Sequence, residues 1–224
     1  MLSVNSVYIA HYSPLIERRE FLKKQFSINN INSYEWFEQE PNFEELDKWC
    51  DTMGISWDRK MRMPPLSYIP RRELKASEIS LAYKHIKIYE DILKNGVDVS
   101  LVLEDDVVLA DDFVNKFNQM LHDTPSDWDM IFIGSGCNLS IPESEMVMGQ
   151  TAYRKSHPAT KCTDSYLITL SATNKIMKTI FPLTFPIDFE LNYQLLMHDL
   201  RVYWWEPPLV KQGSQCGIFR SRIQ

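Results

Sequence analysis

An α/β fold around a mostly parallel central sheet is predicted by three features of the sequence. Strand-like and helix-like stretches alternate along most of its 224 residues. Residues 97–103 form an apolar run broken only by Asp98 and Ser100, the pattern of a strand buried on both faces. That run ends on three consecutive acids, Glu104-Asp105-Asp106, and in open α/β sheets ligands bind beyond the carboxyl ends of the strands. Together these describe a Rossmann-like domain with its site at the acidic strand end.

Each element has a local reason. Residues 6–10 are β-prone, and Ser13-Pro14 supplies an N-cap and a first-turn proline for a helix whose stripe is Leu15, Leu22 and Phe26. Residues 33–37 form a short aromatic strand. Residues 38–75 have no clean period and read as an irregular excursion with one short helix at 43–51. From Ser77 the apolar positions Ile79, Ala82, Tyr83, Ile86, Tyr89, Ile92 and Leu93 fall on one helical stripe, ended by Asn95-Gly96. A helix at 111–122, with Asp111-Asp112 at its start, leads to a buried strand at 129–133 that closes on Gly134-Ser135-Gly136. Residues 137–160 read as loop, 165–170 as strand, 172–181 and 187–198 as helices, and 200–205 as a last strand.

Size and composition limit the function classes. The length fits a single domain spanning 1–224, large enough to bury about 70% of its unfolded surface. The formal charge of −6 argues against a nucleic-acid binder, because phosphate neutralisation needs clustered Lys and Arg. The basic knots at Arg59, Lys60, Arg62 and at Arg71, Arg72, Lys75 are short and read as solvated loop charges. No apolar stretch reaches membrane-spanning length and the N-terminus has no signal-peptide pattern. Cys50, Cys137, Cys162 and Cys216 lie far apart with no metal-finger or Cys-x-x-Cys spacing, as expected of reduced thiols. The expectation is a cytoplasmic protein whose only membrane contact is peripheral.

Three adjacent carboxylates repel one another, so either the fold holds them or a cation relieves them. Oxygen-only ligands select Mg²⁺ or Mn²⁺, which keep open positions for phosphate oxygens. Such an ion stabilises a diphosphate leaving group, which points to transfer from a nucleotide-sugar. Capping of the following helix is the plainer alternative, but Asp111-Asp112 fills that place and Val107-Val108-Leu109 intervenes.

The segment Leu-Val-Leu-Glu-Asp-Asp-Val-Val-Leu-Ala-Asp-Asp-Phe (101–113) resembles the central motif of glycosyltransferase family 25, which includes bacterial lipooligosaccharide and collagen galactosyltransferases. Tyr8-Ile9-Ala10-His11 with Glu17-Arg18-Arg19 is similar to the family's opening strand and Glu-Arg-Arg helix. Ser77-Glu78-Ile79-Ser80-Leu81-Ala82-Tyr83-Lys84-His85 resembles its Gly-Glu-Ile-Gly-Cys-x-x-Ser-His segment, with Ser77, Ser80 and Lys84 departing from the pattern. Trp128-Asp129-Met130-Ile131 and Pro186-Ile187-Asp188 resemble its later elements. The likeness covers about 8–37, 77–135 and 163–213, and any one motif alone is weak.

What the resemblance implies is a GT-A type fold and metal-dependent transfer of a hexose from a UDP-sugar donor to a hydroxyl of a glycan or glycoconjugate acceptor. Galactose is the first expectation, with inversion, in lipopolysaccharide or other glycan biosynthesis. Asp106 is expected to hold Mn²⁺ or Mg²⁺ with Glu104, while Glu104 and Asp105 orient water and donor hydroxyls. Ala10, His11, Arg18, Glu78 and His85 are expected on the donor side, although His11, Arg18 and His85 also fit plain structural roles. Asp188 is the expected general base, Glu190 its reserve and Asp164 a poorer third. With no histidine after His198, Gln212, Ser214 or water must complete a metal shell; of Trp204 and Trp205 one is expected in the core and one facing outward, with stacking of one indole on an acceptor sugar as the alternative. A metal-dependent phosphohydrolase or nuclease, and an inactive nucleotide-sugar-binding module, are the alternative functions.

Overall fold

The structure is a computed structural model and describes residues 1–42, 44, 74–183 and 185–220. In chain order its elements are β1 (Ser6–Ala10), α1 (Ile16–Ile28), β2 (Glu35–Phe37), α2 (Ala76–Asn95), β3 (Val99–Glu104), β4 (Val107–Leu109), α3 (Phe113–Asp123), β5 (Met130–Phe132), β6 (Ala152–Lys155), β7 (Ser165–Thr169), α4 (Leu170–Met177), α5 (Ile187–Met197), β8 (Val202–Trp205) and β9 (Val210–Gln212). Single 3₁₀ turns lie at Gly136–Asn138 and Glu143–Glu145.

Seven strands form one sheet in the order β2-β1-β3-β7-β5-β8-β6, while β4 and β9 pair separately. β2, β1, β3, β5 and β8 run one way, and β7 and β6 run against them. The sheet is therefore mostly parallel in strand direction, as expected, with an antiparallel strand set into its middle. Period-two alternation divides the core. Tyr8, Val102, Phe132, Tyr166 and Trp204 face α2, α4 and α5. Val7, Ile9, Leu101, Leu103, Ile131, Leu167 and Trp205 face α1 and α3. Helices thus cover both faces, which is why the strands are apolar throughout.

Several expectations need correction. Ser13-Pro14 does not cap α1: Leu15 stands at the N-cap position with no side-chain bond, and the chain enters through a turn closed by Leu15 N–H donating to the Tyr12 carbonyl at 2.8 Å. Asp112 precedes α3 in a left-handed conformation (φ 55°) and makes no capping bond. The stretch 137–160 contains β6, an edge strand on β8. Val107–Leu109 is not a spacer but a strand that pairs antiparallel with β9. Trp204 and Trp205 are both buried on opposite faces. Their indole N–H groups donate to the Ala159 carbonyl and Thr124 Oγ1, so neither is placed to stack on a sugar. Most of the 38–75 excursion, with its expected helix at 43–51, lies outside the described residues.

α2 ends as its sequence demands. Gly96 adopts φ 62°, and the N–H of Gly96 bonds back to the Ile92 carbonyl. Only glycine takes that backbone without strain. On the opposite layer Phe117 is fully buried against Phe113 and Trp205, with ring centroids 5.5 and 5.3 Å away. Phe117→Ala is expected to destabilise the fold by about 3–5 kcal/mol, read as a lower urea midpoint with unchanged far-UV circular dichroism.

Candidate active site

Register builds the site. β1 and β3 are parallel neighbours with Ala10 opposite Glu104, so the residues that follow, His11 and Asp105, emerge together at the carboxyl edge. β7 runs antiparallel with Ser165 opposite Leu103, which brings Thr163 and Asp164 to the same edge from the other direction. The β4–β9 pair sets Val107 opposite Gln212, so Gly213 and Ser214 close over Asp106. Three further chain segments therefore converge on the acidic trio.

Asp105 is held by the protein itself. Its Oδ1 accepts from Arg18 Nη1 at 2.7 Å, and its Oδ2 accepts from the Tyr12 N–H at 3.1 Å and lies 2.8 Å from His11 Nδ1. Arg18 is buried with it and also donates to the Arg220 carbonyl at 2.7 Å. Burial pushes the Asp105 carboxyl up, but the His11 and Arg18 contacts outweigh it and hold the group below its ordinary range. His11 is enclosed: Trp36 meets it edge-on at 5.0 Å, and its Nε2 lies 3.7 Å from Glu38. Arg18, which fits a solvated helix arginine by sequence, is thus a structural counter-ion.

Asp106 is placed differently. Its carbonyl accepts from the Gly213 N–H at 2.6 Å and its Oδ2 from the Ser214 N–H at 3.3 Å. A Cβ at position 213 would come within 2.6 Å of that carbonyl, so the approach requires glycine. Arg18 Nη1 lies 3.9 Å from Oδ2, yet Oδ1 is buried with no hydrogen-bond partner among the described residues. Burial raises its carboxyl despite Ser214 and Arg18. Glu104 sits deeper and accepts from Thr163 Oγ1 at 2.7 Å; burial, then Asp106, pushes it well up. Asp164 is raised to about 7 by burial, and Asp106 adds to the rise. Its Oδ1 also lacks a partner.

The remaining expected residues divide. Ala10 ends β1 beside Glu104 as part of the buried sheet edge. His85 is a core histidine: it is fully buried and stacked on Tyr166, its Nδ1 lies 2.8 Å from the Tyr166 hydroxyl, and its Nε2 is 3.9 Å from Glu104. Glu78 completes a capping box on α2, accepting from the Lys75 N–H at 2.8 Å. It also raises the Asp188 carboxyl electrostatically. Asp188 lies half-buried in the first turn of α5, and burial outweighs the backbone hydrogen bonds there to push its carboxyl up. Glu190 is fully buried and accepts from Gln194 Nε2 at 2.9 Å within the same helix, away from any open surface. Of the three departures from the family pattern on α2, Ser77, Ser80 and Lys84, Ser80 donates to Glu40 at 2.5 Å and Lys84 pairs with the same carboxylate, anchoring the chain as it leaves β2.

Sequence reasoning missed Thr163, and it ranked Asp164 only as a distant base. The available signal was Gly134-Ser135-Gly136: a Cβ on Gly134 would lie 2.0 Å from Asp164 Oδ2, and one on Gly136 2.6 Å from Asp164 Oδ1. Two small residues after a strand thus mark where an acid packs against the backbone.

The fit to a divalent cation follows from these atoms. Among the described residues no three His, Cys, Asp or Glu side chains are arranged to enclose a metal ion. The donor set is nevertheless all oxygen, with the unpartnered Asp106 Oδ1 beside carboxyls whose proton affinity burial raises. That suits an open Mg²⁺ or Mn²⁺ site, in which one or two carboxylates suffice and phosphates and water complete the shell.

Two predictions test this electrostatic arrangement. Asp105→Ala leaves the Arg18 guanidinium buried without its carboxylate and is expected to cost about 3–5 kcal/mol in denaturant unfolding. His85 is pushed down by burial to about 3, so it stays neutral in the folded chain while the unfolded chain takes a proton below about 6.5. The stability of the wild type relative to His85→Gln is therefore expected to fall by about 1.4 kcal/mol per pH unit between those values, and to be flat above the upper one. Urea unfolding of both proteins at stepped pH checks it.

Comparison with known proteins gives the chain its family. The profile of glycosyltransferase family 25 (LPS biosynthesis protein) matches residues 5–191. A Bos taurus protein named "Probable inactive glycosyltransferase 25 family member 3" is 24% identical over 109 residues, which are 47% of this chain. The match spans only 18% of that protein's length. Among solved structures, a glycosyltransferase involved in glycosylation of the major capsid of PBCV-1 overlaps with TM-score 0.46 at 13% identity, covering 91% of this chain and 83% of its own. A cytidylyltransferase from Leptospira borgpetersenii overlaps with TM-score 0.41 at 12% identity, covering 100% and 90%. No helix among the described residues is long and apolar enough to cross a membrane. With the family profile matching most of its length, the chain belongs to glycosyltransferase family 25.

Proposed function

We propose that the protein is a glycosyltransferase that moves a hexose, galactose first, from a UDP-sugar to a hydroxyl of a glycan or glycoconjugate, with inversion and with Mn²⁺ or Mg²⁺. The observation that carries this reading is the unequal treatment of the acidic trio. Asp105 is neutralised within the protein, whereas Asp106 keeps a buried, unpartnered oxygen at the carboxyl edge of the sheet. Family membership supports the reaction class.

In this reading Asp106 Oδ1 holds the cation, with Glu104 behind it. The bound ion supplies charge neutralisation for the departing diphosphate. The chain's own residues do the rest. Arg18 and His11 fix Asp105, which shapes the turn from β3 into β4 and leaves Oδ1 room for one more donated hydrogen bond from a donor hydroxyl. Ala10 and His11 form the floor on the side of β1. Asp188 takes the proton from the acceptor hydroxyl: burial raises its affinity for a proton, which offsets the lowering expected from the helix N-terminus. Glu190, enclosed within α5, supports the helix rather than the chemistry.

One relative carries the word inactive in its name, which favours a second reading in which this chain binds nucleotide-sugar without turning it over. Calorimetry with UDP and Mn²⁺, together with nucleotide release from UDP-sugars in the presence of acceptor sugars, separates the two. Under the first reading both signals appear, and Asp106→Asn removes Mn²⁺-dependent binding and lowers kcat by about 10²-fold or more. Binding without release supports the second reading. Mn²⁺-dependent binding that survives Asp106→Asn overturns the assignment of Asp106, and release of inorganic phosphate without acceptor points instead to a phosphohydrolase.

A further inference from the structure

Cys137 and Cys162 are 25 residues apart in sequence, yet their Sγ atoms lie 2.9 Å apart at the rim of the candidate site. Both are free thiols; Cys137 is exposed and Cys162 half-buried. Cys137 follows the Gly134-Ser135-Gly136 turn after β5, and Cys162 stands two residues before Asp164. Both adopt left-handed backbone, with φ of 53° and 62°, a conformation that residues with a Cβ rarely take. The approach depends on Gly136, where a Cβ would fall 2.7 Å from Cys162 Cβ and 2.4 Å from the Lys161 carbonyl. Two strained cysteines are thus held face to face by a turn that only glycine permits.

The environment also makes the pair reactive. The hydrogen bond from Cys162 outweighs burial and nearby Asp188 to bring the Cys137 thiol down to about 7, and the Gln215 side chain assists. The same contact pushes Cys162 up. The exposed member therefore ionises more readily to the thiolate, the form that attacks disulfides, and its neighbour 2.9 Å away is positioned to resolve the product.

We propose that Cys137 and Cys162 form a redox-active dithiol site that a low-molecular-weight disulfide of the glutathione class converts to an intramolecular disulfide. The Cys137 thiolate attacks one sulfur of the small disulfide, forming a mixed disulfide and expelling one small thiolate, which takes up the proton that Cys137 released. Cys162 then attacks the Cys137 sulfur of that mixed disulfide, gives up its own proton and displaces the second small thiol. The protein pair loses two electrons and two protons; the small disulfide gains both and leaves as two thiols. The new bond ties the turn after β5 to the segment that leads into Asp164. It closes the loop that carries β6 and the exposed Met146, Val147 and Met148.

The test uses the full chain, reduced, desalted and incubated with oxidised glutathione under argon, then alkylated and mapped by mass spectrometry without reduction. The expected result is a cross-linked Cys137–Cys162 peptide pair that dithiothreitol reverses. The pair should form equally in Cys216→Ser, and in Cys137→Ser the Cys162 thiol should remain alkylatable. A persistent glutathione adduct on Cys137 beside an alkylated Cys162, a cross-link to Cys50 or Cys216, or both thiols remaining alkylatable would overturn the proposal. Because the readout is a covalent map, it stands apart from whether the chain transfers sugar.

Discussion

The buried ion pair between Arg18 and Asp105 is the interaction on which the rest of the site depends. A carboxylate and a guanidinium taken out of water each lose several kcal/mol of hydration, which only close geometry and additional hydrogen bonds offset. Here both conditions hold, through the 2.7 Å contact and the further bonds from His11 and the Tyr12 amide. α1 is docked against the sheet edge by that pair, and Arg18 also reaches the carbonyl of Arg220. With Asp105 fixed, the chain turns directly from β3 into β4, and its neighbours on either side, Glu104 and Asp106, are left under different constraints.

Those constraints separate the acids by proton affinity. Asp105 is held charged, whereas burial favours the protonated forms of Glu104, Asp106, Asp164 and Asp188. A set of carboxyls whose environments push them apart is the usual arrangement where acid–base or metal chemistry is carried out. Like charge would otherwise break up the edge: three of these groups sit within one turn of chain, and β7 delivers a fourth from the opposite direction. The neutral histidine–tyrosine stack beneath, where the Tyr89 and Tyr166 hydroxyls lie 2.7 Å apart, brings no further charge to the edge.

How much of this was legible in the sequence differs by element. α2 was plain because its stripe repeats over five turns and its terminating glycine is required by the backbone. β3 was plain because an apolar run of that length has few alternatives. β6 and β9 were not, because strands of four and three residues are too short to establish a period. The reversed direction of β7 was invisible, since a buried strand has the same composition whichever way it runs. Arg18 read as one of several surface cations on α1 because its periodicity does not reveal what covers that face.

The sequence by itself determined the alternation of strands and helices, the acidic terminus of β3, and the motifs that place the chain in its family. These are local or ordered along the chain, and propensity and pattern act at that range. Only the tertiary structure decided which acid is neutralised, which keeps a free oxygen, and that Cys137 meets Cys162. Each of those outcomes rests on groups separated by 25 to 108 residues, brought together by parallel and antiparallel register. The reason is physical: the free energy of a charge or thiol depends on the water it loses and the partner it gains, and both are set by the packing around it.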